Sequence, residues 1–308
     1  MRLDRRLRWQ QLGLPRRAQA AGVDLLHVTG FDAPVWKPCP VVLTVHDLIG
    51  ALFPQNLPMA ARWYWSKWLP STVRFADAII ADSQATKTDI LRLLPKTSVD
   101  VHVIYLGVDE HFTPQAEDRI EIVKAAYGLV NDYILFVGTL EPRKGIDTLI
   151  DAFARLSGGT SADLVLVGKR GWHWEPILRQ IEDSQLQERV HVLDYVREDD
   201  LPALFSGALA LALPSRYEGF GLPVLEAMAC GTPVVCTNVA SLPEVAGDAA
   251  VLVPPDDPVA LADALQGLVR DRSMAQDYAA LGQAYVQRFR WEETARQTLK
   301  VYESVLAR

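Results

Sequence analysis

Ten short aliphatic and β-branched runs recur along the chain, with helical patterns filling most of the gaps between them. They are Asp24–Val28, Val41–Val45, Ala78–Ala81, Val99–Ile104, Tyr133–Val137, Asp163–Val167, Val190–Leu193, Ala208–Leu213, Pro233–Cys236 and Ala250–Val253. In the gaps, apolar residues recur at the spacing of one helix face, as in Ile146, Leu149, Ile150, Phe153 and Leu156. Runs that are apolar throughout belong to strands buried on both faces. Alternation of such strands with helices predicts parallel sheets covered on each side, an α/β fold.

The chain has 308 residues, enough for two domains of ordinary size. The boundary is expected near Phe112–Glu121, where Thr113-Pro114 breaks the chain and an acidic stretch follows. This gives an N-terminal Rossmann-like domain over 1–114, a complete one over 115–290, and a terminal segment over 291–308. The first domain has only four strands in about 112 residues and opens on a basic helix, without the strand and Gly-rich turn that usually start a doubly wound half. It is expected to lack its first βαβ portion. Trp291 to Leu306 reads as an amphipathic helix, with Ala295, Leu299, Tyr302 and Leu306 on one side, packing back across the domain junction.

A net charge of −7 gives no reason to expect nucleic-acid binding. Cys39, Cys230 and Cys236 form no CxxC and leave an odd count, which fits a reducing compartment. No apolar run approaches the roughly 18 residues of a membrane span, and no signal-peptide pattern is present. A cytoplasmic protein is expected. Charge is uneven, though. Arg2, Arg5, Arg6, Arg8, Arg16 and Arg17 face Asp4 alone in the first twenty residues, and Arg62–Trp68 interleaves basic and aromatic residues. Two readings stand: a surface touching anionic lipid at the inner face of a membrane, or a solvated helix face beside aromatic packing.

The most informative segment is PSRYEGFGLPVLEAMACGTPVV, residues 214 to 235. Glu218 lies in a loop, Gly219 and Gly221 follow, and Leu222-Pro223 begins a helix, since proline suits a first helical position. Glu226 then falls about one turn in. A helix start behind two glycines offers free N–H groups and partial positive charge, a ready anion site with an acid on each side. Val137-Gly138-Thr139-Leu140-Glu141-Pro142-Arg143-Lys144-Gly145 links another strand to a helix. It puts Arg143 and Lys144 at a helix N-terminus, where cations are unfavourable unless an anion lies between. Two such sites in one domain suit a diphosphate. The segment fails G-x-G-x-x-G, and the chain has neither a Walker A motif nor a D-x-D pair. No metal site is therefore expected.

VGTLEPRKGIDTLIDAF, LVGKRGW, VLDYV, PSRYEGFGLPVLEAMACGTPVV and ASLPEVAGDAAVLVPPDD together strongly resemble the retaining nucleotide-sugar glycosyltransferases of family 4 (glycosyl transferases group 1). The match runs from about Asp24 to the C-terminus. The resemblance implies the GT-B fold, two facing Rossmann-like domains, and the E-x7-E hallmark of that family is here Glu218 and Glu226. It implies that Glu218 binds donor sugar hydroxyls and Glu226 the ribose hydroxyls, and that Arg143 and Lys144 neutralise the diphosphate. Gly138, Thr139, and Gly219, Phe220, Gly221 and Leu222 would line the donor, and Tyr195 and Val196 would grip the nucleobase. His46, after the strand Val41–Val45, would lie near the transferred sugar, its ring oriented by Asp47 unless Asp47 only caps the turn. Many members have Arg where this chain has Thr139.

The expected function is hexosyl transfer with retention, mannose narrowly favoured, from a nucleoside-diphosphate sugar to a hydroxyl of a glycan or lipid-linked glycan. No cofactor is expected beyond that co-substrate. A truncated nucleotide-sugar-binding protein, a fragment of a longer active enzyme, and an epimerase of the same architecture are the alternatives.

Overall fold

The structure, a computed structural model, describes residues 3–30, 32–94 and 99–308; Arg2 lies outside them. All ten expected strands are present: β1 (Leu26–Val28), β2 (Val41–Val45), β3 (Ala78–Ala81), β4 (Asp100–Val103), β5 (Tyr133–Val137), β6 (Asp163–Val167), β7 (Val190–Leu193), β8 (Ala208–Leu213), β9 (Val234–Thr237) and β10 (Val251–Val253). Every pairing is parallel. The chain divides into two compact units, residues 1–107 with 291–308, and residues 108–290. The break falls at Gly107–Val108, ahead of the stretch expected from sequence.

The first unit holds a four-stranded sheet in the order β1-β2-β3-β4. Strand periodicity sorts its residues onto two faces. Val41, Leu43, Val45, Ile79, Ala81 and Val101 pack with Leu48, Tyr64, Leu69, Val73 and Ile90 on one side. On the other, Val42, Ala78, Ile80 and Ile104 meet Val301 and Val305 of the helix Trp291–Leu306. The terminal helix thus returns to the first unit, but not on the face expected: Ala295, Leu299 and Leu306 are exposed. Val301 and Val305 are the aliphatics that reach the sheet, and Tyr302 beside them binds the Nδ1 of His27 through its hydroxyl (2.6 Å).

The second unit holds a six-stranded sheet in the order β10-β9-β8-β5-β6-β7. Tyr133–Phe136, Leu164–Leu166 and Ala210–Leu213 are entirely buried, each large aliphatic or aromatic side chain contributing about 1.5–3 kcal/mol. The helix Ile146–Ser157 turns Ile146, Leu149, Ile150, Phe153 and Leu156 inward, as its spacing predicts. The strands run outward from the middle in two directions, β5-β6-β7 and β8-β9-β10. Strand order therefore reverses between β5 and β8, and a crevice at the carboxyl ends of such a pair is where open α/β sheets bind ligands. Among the described residues no helix is long and apolar enough to cross a membrane.

Candidate active site

The loops leaving β5 and β8 meet at that reversal, and the local sequence explains how closely. After β5, Pro142–Lys144 forms one tight turn and Gly145 enters the left-handed region at φ 66° to start the helix Ile146–Ser157. A Cβ on Gly145 would stand 2.0 Å from the Pro214 carbonyl oxygen, so only glycine lets the β8 loop pass. Gly168, after β6, is held by the same constraint: its Cβ would stand 2.0 Å from the Gly138 carbonyl. The Arg216 backbone N–H donates to the Arg143 carbonyl at 2.8 Å. Its guanidinium binds the Pro142 carbonyl, Asp147 and Asp256.

Glu218 sits where the two loops touch, and it is buried. Its carboxylate accepts hydrogen bonds from Lys144 Nζ (2.6 Å), Ser215 Oγ (2.6 Å) and Arg143 Nη1 (3.3 Å). Burial pushes its proton affinity up, but Lys144 and Arg143 outweigh burial and hold the carboxyl below its ordinary range. Arg143 also donates to Glu141 through Nε (2.9 Å) and Nη2 (2.6 Å). The two cations are therefore paired with acids of their own unit, Glu141 and Glu218. They precede the helix in a separate turn, and Glu218 supplies the negative charge that lets them stay there. Lys144 Nζ also lies 3.6 Å from where a Cβ on Gly138 would stand, so it reaches back to the end of β5.

Behind Glu218, Gly221 at φ 107° starts the helix Leu222–Ala229, with Pro223 in its first turn. The buried Ser241 hydroxyl donates to the carbonyls of Glu218 (3.0 Å) and Phe220 (2.7 Å), fixing the loop from below. Glu226 is half-buried on that helix and, among the described residues, its carboxylate has no hydrogen-bond partner. Burial, with Glu198 adding to it and His111 opposing it, pushes its carboxyl up to about 7. A carboxylate left without donors is a group prepared for a ligand that brings hydroxyls.

The other expected residues fall less tightly. Tyr195, after β7, is 81% exposed, while Val196 is buried and can offer a ligand only its backbone. Arg170, in the basic Gly168–Trp172 loop, is bound to Asp194 (2.6 and 2.8 Å) and stacked on Trp174. Thr139 follows Gly138 beside Gly171, whose Cβ would stand 2.8 Å from the Thr139 methyl.

His46 belongs to the first unit. Asp82 holds its ring, with Nδ1 2.7 Å from the Asp82 carboxylate, and Asp47 caps the Ile49 N–H at 2.9 Å. Nε2 faces the Thr29 carbonyl at 3.3 Å. Both ring nitrogens thus face acceptors, and only the imidazolium donates to both. The Asp82 hydrogen bond, against an opposing effect of burial, accordingly raises the pKa. Asp82→Asn is expected to lower the pH at which His46 titrates, read by NMR of the ring protons; an unmoved titration would remove Asp82 from this role. Ser215, Ser241, Glu141 and Asp82 are the site residues that sequence reading missed. Asp82 had a signal: β2 and β3 pair Val45 with Ala81, so the next residues, His46 and Asp82, fall side by side.

Among the described residues no cluster of three or more His, Cys, Asp or Glu side chains is placed to hold a metal ion.

Comparison with known proteins fits this geometry. The family model for glycosyl transferases group 1 matches residues 123–303, more than half of the chain, and that for Glycosyltransferase Family 4 matches residues 2–112. The chain belongs to the glycosyl transferases group 1 family. This glycosyltransferase is 34% identical over 265 residues to O-antigen chain mannosyltransferase B of Escherichia coli, covering 85% of this chain and 70% of that protein. It is 32% identical over 282 residues to the MMP alpha-(1->4)-mannosyltransferase of Mycolicibacterium hassiacum, covering 87% of this chain and 66% of that one. It therefore spans about two-thirds of the length of these relatives. Among solved structures it superposes on HepE of Anabaena in complex with UDP and glucose, with a TM-score of 0.79 and 25% identity, covering 96% of this chain and 83% of that one. The fold of this glycosyltransferase is GT-B.

Glu226 yields a test that separates stability from function. A carboxyl whose folded pKa is raised above its unfolded value destabilises the fold as pH rises from about 4.5 through 7. Glu226→Gln is expected to stabilise the protein at pH 8 by about 1–2 kcal/mol, less than the full shift because solvent reaches the group, with no gain at pH 4. Thermal melts at the two pH values read it, and equal effects at both would place the ionisation elsewhere.

Proposed function

We propose that this glycosyltransferase moves a hexosyl group, mannose before others, from a nucleoside-diphosphate sugar to a hydroxyl of a glycan or lipid-linked glycan. Retention of anomeric configuration and independence of metal are part of the proposal. The observation that carries it is the Arg143–Glu218–Lys144 cluster at the reversal of strand order, with the partnerless Glu226 on the helix that follows. Mannose is favoured because two relatives at 34% and 32% identity are named mannosyltransferases. The nucleotide is supported by the solved neighbour that holds UDP.

In this reading Lys144 and Arg143 turn from Glu218 toward the diphosphate, and their charge stabilises the phosphate that departs. Glu218, relieved of part of its ion pairing, accepts hydrogen bonds from sugar hydroxyls. Glu226 takes the two ribose hydroxyls. The bond from the anomeric carbon to the phosphate oxygen breaks as the acceptor oxygen attacks from the same face. The acceptor proton passes to the departing phosphate, so no protein nucleophile is required.

The experiment is a panel of labelled GDP- and UDP-hexoses with simple glycosyl acceptors, the product's anomeric configuration being read by NMR. Transfer from GDP-mannose with an α-linked product is expected. Binding without transfer or hydrolysis for every donor would leave a nucleotide-sugar-binding protein; an inverted product would reject the same-face displacement.

A further inference from the structure

Three segments of the first unit place apolar side chains and uncompensated cations on its surface. On the helical stretch from Leu3 to Ala21, the exposed residues Arg5, Arg8, Trp9, Leu12 and Arg16 recur at intervals of three and four, while Leu7 and Leu14 pack inward. On the helical stretch from Met59 to Trp68, exposed Met59, Arg62, Trp63, Ser66 and Lys67 repeat the pattern, and Tyr64 is the buried residue. Val35 and Trp36 are exposed on the loop between them, at 48% and 47%.

One buried carboxylate ties the three segments together. Asp32, fully enclosed, accepts from the Tyr64 hydroxyl (2.8 Å), the Trp68 indole (3.4 Å) and Gln11 (3.3 Å), and lies 3.5 Å from Arg6. Gln11 also donates to the Ala33 carbonyl and accepts from the Val35 N–H. The exposed rings are thus mounted on a fixed frame.

The charge on these segments is one-sided. Residues 5–17, 33–37 and 58–68 contain eight Lys and Arg and no Asp or Glu, in a chain with 31 basic and 38 acidic residues. Arg6 and Lys37 have acidic partners in Asp32 and Asp77. Arg5, Arg8, Arg16, Arg17, Arg62 and Lys67 have no ion pair among the described residues.

We propose that this surface seats the protein on an anionic lipid bilayer, with Trp9, Trp36, Trp63 and Met59 entering the headgroup boundary and the arginines lying against lipid phosphates. Trp beside Arg or Lys is the pair that the bilayer interface accommodates, ring in the boundary and cation in the headgroups. A nucleic acid would meet the cations but leave Leu12, Val35 and Met59 against water. A second copy would bring the same positive charge and be repelled. Such seating brings the enzyme to a lipid-linked acceptor, yet vesicle binding is read without any sugar transfer, so the surface and the proposed reaction fail separately.

The test is flotation with vesicles of phosphatidylcholine alone and of phosphatidylcholine mixed with phosphatidylglycerol. The full chain should float with the mixed vesicles only and be released as salt is raised. Arg5→Gln with Arg8→Gln should weaken the partition about fivefold per charge removed, and Trp9→Ala with Trp63→Ala about tenfold or more. Arg179→Gln, an exposed cation of the second unit, should change nothing. Unchanged melting temperatures certify that the variants are folded. Equal flotation of parent and tryptophan variant would overturn the proposal. So would absence from the mixed vesicles, vesicle-free self-association lost in Trp63→Ala, or RNA binding that displaces the lipid.

Discussion

Glu218→Gln is expected to lower sugar transfer by about a hundredfold or more while leaving nucleoside-diphosphate affinity intact or raising it. The carboxylate holds Lys144 at 2.6 Å and Arg143 at 3.3 Å, so in the resting protein it competes with any diphosphate for the same two cations. The amide keeps the shape and a contact to Ser215 but releases the cations, which favours an anionic ligand. It also withdraws the acceptor that ionised Glu218 offers to sugar hydroxyls. Stability moves as well: removing one member of a buried ion pair costs about 3–5 kcal/mol, with Arg143 cushioned by Glu141. Calorimetry with a nucleoside diphosphate, turnover and a thermal melt read the three effects separately. Loss of diphosphate affinity in a folded variant would reject the competition.

Gly145→Ala should be nearly as damaging through the backbone alone. Left-handed geometry costs alanine about 1–2 kcal/mol, and its Cβ would stand 2.0 Å from the Pro214 oxygen. The β5 and β8 loops must then part, which pulls Lys144 from Glu218. A loss of about 3 kcal/mol in stability and at least tenfold in donor affinity is expected, from denaturant unfolding and calorimetry. An alanine variant that melts and binds like its parent would show that the loops are free to separate.

How far sequence reading reached follows from what each feature depends on. The strands were legible because Tyr133–Val137 or Leu164–Val167 are apolar without interruption, and that pattern is local. The glycine-to-proline start of the helix at Leu222 was legible for the same reason. The partnership of Glu218 with Lys144 was not, because 74 residues separate them and only the placement of β5 beside β8 joins their loops. Arg143 and Lys144 consequently read as cations awaiting an anion, when the fold supplies one. For His46 the sequence offered only its neighbour Asp47, as orienter of the ring or cap of the turn; Asp47 does cap the turn, and parallel pairing of β2 with β3 delivers Asp82. On the terminal helix, periodicity picked the stripe of Ala295, Leu299, Tyr302 and Leu306; Tyr302 packs inward, while the other three face solvent, because several apolar stripes fit one helix.

The central claim is that the junction of the β5 and β8 loops binds the diphosphate of a nucleotide sugar. Titration calorimetry of GDP-mannose into the parent protein, Lys144→Gln and Lys169→Gln tests it most directly. The two lysines leave neighbouring strands, but only Lys144 belongs to the cluster with Glu218. The account predicts binding by the parent and by Lys169→Gln, and a loss of about a hundredfold in Lys144→Gln, in the range for a charged hydrogen bond lost from a buried site. Equal affinity in all three proteins, each shown to be folded, would contradict it.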